Sequence, residues 1–277
     1  MLPNLIVIGA MKCGTTSLHY YLDTHPEISM SKKKELDFFI LEKNWPKGAE
    51  WYESNFVGRA RIYGESSPHY TNYPRFPGVP ERMHSVIPDT KLIYLVRDPI
   101  ERMISDYVHL RSIRRETRGV AEALTDRAEN RYLNRSKYFM QLEQYLRYFP
   151  PSNIFVITQE ELYHRRFETL QMIFRYLGVD DSFFSPRFNL IIHKTADKLQ
   201  PDWVGFLLDQ MSRTRFVHWI PLEMREKIKS SFLLPLSRRI ERPLLEEGPR
   251  IELRERLKDD VEQLRKFAGR SFQEWSL

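Results

Sequence analysis

Leu5-Ile6-Val7-Ile8-Gly9-Ala10-Met11-Lys12-Cys13-Gly14-Thr15-Thr16-Ser17-Leu18 reads as a strand, a turn and the start of a helix in one continuous stretch. Leu5 to Ile8 is a short apolar run rich in β-branched residues, the composition of a buried strand. A strand that feeds a glycine turn and then a helix is the geometry that cradles phosphate. Backbone N–H groups at the helix start point at the anion, and the hydroxyls of Thr15, Thr16 and Ser17 add donors. Gly9 and Gly14 have the spacing of a Walker A loop, but Thr15 stands where its lysine would be. The lysine is Lys12 instead, two residues before the second glycine. The stretch predicts a phosphate loop and argues against a magnesium NTPase.

Two further apolar runs, Leu92 to Val96 and Ile154 to Ile157, predict buried strands, and Arg61 to Glu65 is a weaker fourth. Each leads into a polar turn and a helical pattern. The expected fold is therefore α/β: a three-layer, P-loop-like arrangement with a central, mostly parallel sheet flanked by helices. In such sheets ligands sit at the carboxyl ends of the strands, which directs attention to the residues after Ile8, Glu65 and Val96. The last third predicts a helical C-terminal portion: Trp203 to Met211, Leu222 to Ile240 and Ile251 to Ala268 have helical spacing. Leu253, Leu257, Val261 and Leu264 form an apolar stripe on the last of these. Arg242 to Pro249 reads as a loop. With no internal repeat and no low-complexity linker, residues 1–277 are expected to form one domain.

The chain is 277 residues, 42% hydrophobic and 29% charged, which excludes disorder and collagen-like repetition. Its net charge of +6 favours anionic ligands without singling out nucleic acid, and no nucleic-acid partner is expected. The single cysteine, Cys13, excludes an intrachain disulfide and a cysteine-built zinc site, so no metal site is expected. No apolar run approaches the roughly 18 residues that span a bilayer, and the first residues lack the basic region of a signal peptide. A cytoplasmic protein is the expectation.

A second motif follows the Leu92 to Val96 strand: Val96-Arg97-Asp98-Pro99-Ile100-Glu101-Arg102-Met103-Ile104-Ser105-Asp106-Tyr107. An arginine fork and a helix-borne hydroxyl suit a phosphate dianion. Together the two motifs resemble the sulfotransferases that use 3'-phosphoadenosine 5'-phosphosulfate (PAPS), and within them the heparan sulfate sulfotransferase-like group with its bacterial members. The resemblance spans nearly the whole chain. It implies that Lys12, Cys13, Gly14, Thr15, Thr16 and Ser17 bind the 5'-phosphosulfate and that Arg97 and Ser105 read the 3'-phosphate. Cys13 stands where many relatives have glycine. Ser31-Lys32-Lys33-Lys34-Glu35-Leu36-Asp37-Phe38-Phe39 resembles the family segment that supplies a general base, matched by Glu35. Asn134-Arg135-Ser136-Lys137-Tyr138 resembles a segment near the nucleotide, which adds Ser136 and Tyr138. His193-Lys194-Thr195 resembles a loop closing over it, which adds Lys194 and Thr195. In Glu65-Ser66-Ser67-Pro68-His69-Tyr70, Ser66 replaces the lysine of the eukaryotic glycosaminoglycan enzymes, which weakens the inference to a heparan-type acceptor.

The resemblance implies transfer of a sulfuryl group from PAPS to an acceptor hydroxyl on a carbohydrate, lipid or secondary metabolite, releasing 3'-phosphoadenosine 5'-phosphate (PAP) without a metal. Lys12 would stabilise charge on the leaving oxygen. The base is open among Glu35, His109, which lies four residues after Ser105, and His69. Arg111, Arg114, Arg115 and Arg118 read more readily as a solvated face than as an acceptor-steering patch. Trp45, Trp51 and Tyr52 read more readily as packing residues. Two rival readings stand beside this one: a magnesium-ATP kinase and a PAP-binding protein that has lost catalysis.

Overall fold

The computed structural model describes residues 1–126, 130–189, 199–201, 237–239 and 241–277. At its centre are five strands: β1 (Leu5–Gly9), β2 (Ile28–Met30), β3 (Ile62–Ser66), β4 (Lys91–Val96) and β5 (Ile154–Thr158). They form one sheet in the order β2-β3-β1-β4-β5, with every pairing parallel. β1 is buried along its whole length, as expected of an apolar run covered on both faces. From β1 the chain moves outward to β2 and β3, then crosses to β4 and β5 on the other side. The connections after β1 and β4 thus diverge, and a crevice opens between the carboxyl ends of these adjacent strands.

Helices flank the sheet. α1 (Thr15–Asp23), α2 (Gly48–Glu53), α3 (Val79–Val86) and α4 (Pro99–Ser112) are followed by α5 (Val120–Thr125), α6 (Arg131–Ser136) and α7 (Tyr138–Leu146). Then come α8 (Gln159–His164), α9 (Arg166–Leu177) and α10 (Glu247–Ala268). The stripe Leu253, Leu257, Val261 and Leu264 is fully buried, and α10 packs on α4, α5 and α7. A second apolar cluster, including Ile100, Met103, Ile104, Leu124, Tyr132, Leu253 and Leu257, joins α10 to the helix that carries the second motif.

The structure departs from the sequence reading in three places. β2 is an edge strand of three residues, too short to leave a period. Ser237–Arg239 is a strand, β7, paired antiparallel with β6 (Leu199–Pro201), which overturns the helical reading of Leu222 to Ile240 at its end. Pro235 disfavours helix just before it, and backbone pairing takes over. α10 also starts at Glu247, inside the expected Arg242 to Pro249 loop, because Pro249 falls in its first turn, where a missing N–H costs nothing. The rest of Leu222 to Ile240, and Trp203 to Met211, lie outside the described residues.

Candidate active site

The phosphate loop leaves β1 under close constraint. A Cβ on Gly9 would stand 2.0 Å from Thr71 Oγ1, so only glycine lets the strand end pass the segment after β3. Two left-handed residues then turn the chain: Lys12 at φ 75° and Gly14 at φ 94°. Gly14 costs nothing in that region, whereas Lys12 stores strain of the kind that gathers at functional sites. Gly14 is also the N-cap of α1. It makes no side-chain cap, and the first turn holds no acidic residue, an arrangement that suits an anion. Cys13 points inward instead. Its sulfur lies 3.7 Å from the Tyr138 hydroxyl, and burial raises its thiol to about 11. Cys13 and Tyr138 therefore pack the loop from beneath. Tyr138 is fully buried between Tyr94 and Trp275.

Arg97 follows β4 directly, across the crevice from this loop. Glu101, Ser105 and His109 recur every four residues on one side of α4, and Arg97 lies just before its N-cap, Asp98. Asp98 caps the helix by accepting the Glu101 N–H at 2.9 Å, and it also accepts the Ser276 N–H at 2.6 Å. The C-terminal tail thus ties down the start of the motif. Glu101 is shared by three guanidiniums: Arg97 at 3.9 Å, Arg250 at 3.4 Å, and Arg242 in direct contact. Burial, then the charges of Arg97 and Arg250, hold Arg242 below the ordinary arginine value. Three cations around one carboxylate leave a surplus of positive charge suited to a phosphate dianion. Ser105 is buried about one turn beyond Glu101, and His109 lies in the last turn of the helix.

Sequence reasoning missed Asp106. It is fully buried, 3.4 Å from both Arg102 and Arg135. Burial pushes its carboxyl up, but Arg102, Arg135, Arg131 and Lys12 outweigh that and hold it low, so it is a buried counter-charge for the Lys12 side of the site. Its place four residues after Arg102 was the available signal. The Ser136 hydroxyl accepts from Arg102 Nε at 2.6 Å and donates to the Pro99 carbonyl at 3.1 Å, bracing α6 on α4.

The Glu35 segment folds over the end of β3. Glu35 (φ 65°) and Asp37 (φ 49°) are both left-handed and flank the fully buried Leu36. The Glu35 N–H donates to the Ser66 carbonyl at 3.0 Å, and the Asp37 N–H donates to Ser67 Oγ at 3.0 Å. Beneath them Glu65 accepts from Tyr52 at 2.8 Å, Tyr70 at 2.7 Å and Ser67 at 2.8 Å. Burial outweighs these bonds and raises the Glu65 carboxyl to about 7. The Tyr70 hydroxyl in turn accepts the Phe38 N–H at 2.9 Å. His69 is set 3.1 Å from Asp37, which Lys43 also contacts; these partners overcome burial and keep the Asp37 carboxyl low.

The structure therefore assembles the phosphate loop, Arg97 and the Glu35 segment around the carboxyl ends of β1, β3 and β4. It sets Tyr138 and Ser136 behind them. Lys194 and Thr195 lie outside the described residues. The arginine run is largely architectural: Arg118 pairs with Glu116 and Asp126, and Arg111 donates to the Thr117 carbonyl at 3.0 Å. Tyr52 stacks on Phe38 at 4.2 Å, and Trp45 and Trp51 pack against the same ring, so these aromatics are packing residues. Among the described residues no cluster of His, Cys, Asp and Glu could hold a metal ion, and no helix is long and apolar enough to cross a membrane.

A parallel sheet whose first loop carries a lysine and opens a helix, beside an arginine at the end of the adjacent strand, has the architecture of the P-loop-like α/β class. Residues 2–227 match the sulfotransferase domain, and the chain belongs to that family. It is 41% identical over 111 residues to the membrane-associated sulfotransferase kil1 of Dictyostelium discoideum, covering 38% of this chain and 22% of that protein. It is 30% identical over 218 residues to the human heparan sulfate glucosamine 3-O-sulfotransferase 5, covering 70% of this chain and 62% of that enzyme. The chain thus spans less than two thirds of the length of these curated relatives. A crystal structure of a sulfotransferase from Alicyclobacillus acidocaldarius shares the fold, with a TM-score of 0.71 at 24% identity over 100% of both chains. The family and the fold are those the motifs led us to expect.

Proposed function

We propose that this chain transfers the sulfonate of PAPS to an acceptor hydroxyl and releases PAP. The observation that carries this reading is the switch point between the adjacent strands β1 and β4, where an uncapped helix start with Lys12 follows one strand and the arginine-rich start of α4 follows the other. The first suits the 5'-phosphosulfate, the second the 3'-phosphate that distinguishes PAPS from ATP. In the transfer, the amides of Gly14 to Ser17 and the hydroxyls of Thr15, Thr16 and Ser17 hold the 5'-phosphate. Lys12 meets the charge that develops on the bridging oxygen, while Arg97, helped by Arg242 and Arg250, holds the 3'-phosphate. Ser105 joins the 3'-phosphate site from the same face of α4. Glu35 takes the acceptor proton. Its place beside Ser66, over the end of β3, supports it over His109, which is at the far end of α4. Lys194 and Thr195, outside the described residues, stay candidates for nucleotide contact by resemblance alone, and no metal takes part. The kinase reading lacks a Walker lysine, and the strain held at Lys12 and Glu35 favours an active enzyme over an inert PAP-binding protein.

The acceptor class we favour is a carbohydrate hydroxyl, in keeping with the heparan sulfate relative. We treat residues 1–277 as one sulfotransferase domain, because α10 packs on α4, α5 and α7 and the tail caps Asp98. A cytoplasmic setting is supported by the lone, buried Cys13; one relative is membrane-associated, so fractionation of the tagged protein decides it. The test of function is thermal shift with PAP, ATP, ADP and adenosine 5'-phosphosulfate, with and without magnesium. PAP at a hundred times its Kd adds about 2.7 kcal/mol, a rise of a few degrees. A magnesium-independent rise with PAP that adenosine 5'-phosphosulfate does not match is expected. A rise with magnesium-ATP and none with PAP would replace this reading by the kinase.

A further inference from the structure

Lys34 differs from the two lysines before it. Lys32 and Lys33 are exposed, whereas the Lys34 side chain keeps only 18% of its surface and sets Nζ 2.6 Å from Glu35 Oε1. The pair lies over the carboxyl end of β3, where the Glu35 N–H donates to the Ser66 carbonyl at 3.0 Å. Ser66 Oγ is in turn 3.0 Å from Nδ1 of His19, which stands on α1 one turn beyond Thr15 of the phosphate loop. Ser66 therefore links the Glu35 segment, which carries Lys34, to the helix that begins at the phosphate loop. Burial, and after it the charge of Lys34, lower His19 to about 4. At neutral pH the imidazole carries no charge, and Lys34 supplies the positive charge of this corner.

We propose that Lys34 is the acceptor-side positioning residue of the transfer, fixing the Glu35 carboxylate through Oε1 and balancing its charge against the incoming sulfonate. The proposal rests on the sulfotransferase reading with Glu35 as base. A base that is itself an anion must approach an anionic sulfonate, and in a half-buried site that repulsion is poorly screened. A cation held on one carboxylate oxygen offsets it and leaves the other oxygen for the proton. The acceptor O–H gives its proton to Glu35 Oε2 as its oxygen bonds to sulfur. The bond from sulfur to the bridging oxygen breaks, and its electron pair stays on the 5'-phosphate of PAP, next to Lys12. Lys12 and Lys34 would then flank the transferring group from the leaving and the attacking side.

A double-mutant cycle over Lys34→Met and Glu35→Gln, with Lys34→Arg as the conservative variant, tests this. Turnover is read with radiolabelled PAPS and whichever of a desulfated heparan oligosaccharide, naphthol or water serves the wild-type protein best. Lys34→Met is expected to lower kcat by about tenfold to a hundredfold, the scale of a misplaced reacting group, with PAP affinity and melting temperature unchanged. Lys34→Arg should restore most of that loss. In the Glu35→Gln background the Lys34→Met change should alter kcat by less than about twofold, because the two side chains act as a unit. An unchanged kcat in Lys34→Met, an equal loss in the Glu35→Gln background, or a loss confined to PAP affinity would each overturn the proposal. Failure of the underlying reading looks different: Glu35→Gln alone would then keep full turnover, or the wild-type protein would give no shift with PAP.

Discussion

Replacing Glu65 by glutamine probes how the floor of the site is held. Glu65 is 0% exposed at the end of β3 and accepts hydrogen bonds from Tyr52, Tyr70 and Ser67. Burial still dominates and lifts its carboxyl from an ordinary 4.5 to about 7. Between those values the folded protein keeps a proton that the unfolded chain has released. The contribution to stability is therefore complete below pH 4.5 and is lost as pH rises through about 7. At about 1.36 kcal/mol per pH unit the loss comes to about 3 kcal/mol. Glutamine keeps the shape and one acceptor oxygen but does not ionise, so this swing disappears. Urea unfolding of both proteins at about pH 5 and pH 8 measures it. Other titrating groups, His19 among them, are common to both proteins and cancel in the difference. The stability of the variant relative to wild type should rise by about 3 kcal/mol from the lower to the higher pH. A relative stability that stays constant within about 1 kcal/mol would refute the assignment of a buried, largely protonated Glu65. The same variant should lose turnover, because Tyr70 and Ser67, which Glu65 holds, accept the N–H groups of Phe38 and Asp37 that shape the Glu35 segment.

Three further outcomes follow from the site. Lys12→Ala should cut kcat by about a hundredfold to a thousandfold, the cost of one lost charge-stabilising group, with a smaller effect on PAP binding by calorimetry. Arg97→Ala should weaken PAP by about tenfold to a hundredfold yet leave adenosine 5'-phosphosulfate nearly unaffected, since only PAP carries the 3'-phosphate; equal weakening of both would move Arg97 out of that role. Cys13, buried with its thiol raised to about 11, should resist iodoacetamide at neutral pH until denaturant is added; mass spectrometry showing rapid labelling of the native protein would contradict the packing role.

What was legible in the sequence is what lies contiguous in it. Leu5 to Ile8 and Leu92 to Val96 become the central strands of a parallel sheet, and Ile154 to Ile157 an edge strand that is still largely buried; such strands are continuously apolar, so composition alone marks them. β2, at three residues on the sheet edge, has too little buried surface to leave that mark. The phosphate loop was readable for a related reason: a left-handed turn and a run of helix-start donors are local demands, met by Gly14 and the hydroxyls beside it.

The charges that tune the site are assembled from far apart, and there local reading stops. Ser136 sits in a recognisable short motif, yet nothing in that motif reveals that Arg102 and the Pro99 carbonyl occupy its hydroxyl. In the sequence Glu101 is a helix carboxylate like any other; the fold brings Arg242 and Arg250 to it from the other end of the chain. Lys32, Lys33 and Lys34 are identical in composition, and only the turn at Glu35 separates the one that is tucked against a carboxylate from the two in solvent. A left-handed Glu35 reverses the chain within a single residue and sends Leu36 into the core. That burial, together with the Glu65–Tyr70–Phe38 chain of hydrogen bonds, holds the strained turn. The geometry of the Glu35 segment thus depends on an apolar anchor and on a buried glutamate whose carboxyl is raised to about 7. It follows that Glu65→Gln should impair turnover even though Lys12, Arg97 and Glu35 are all intact.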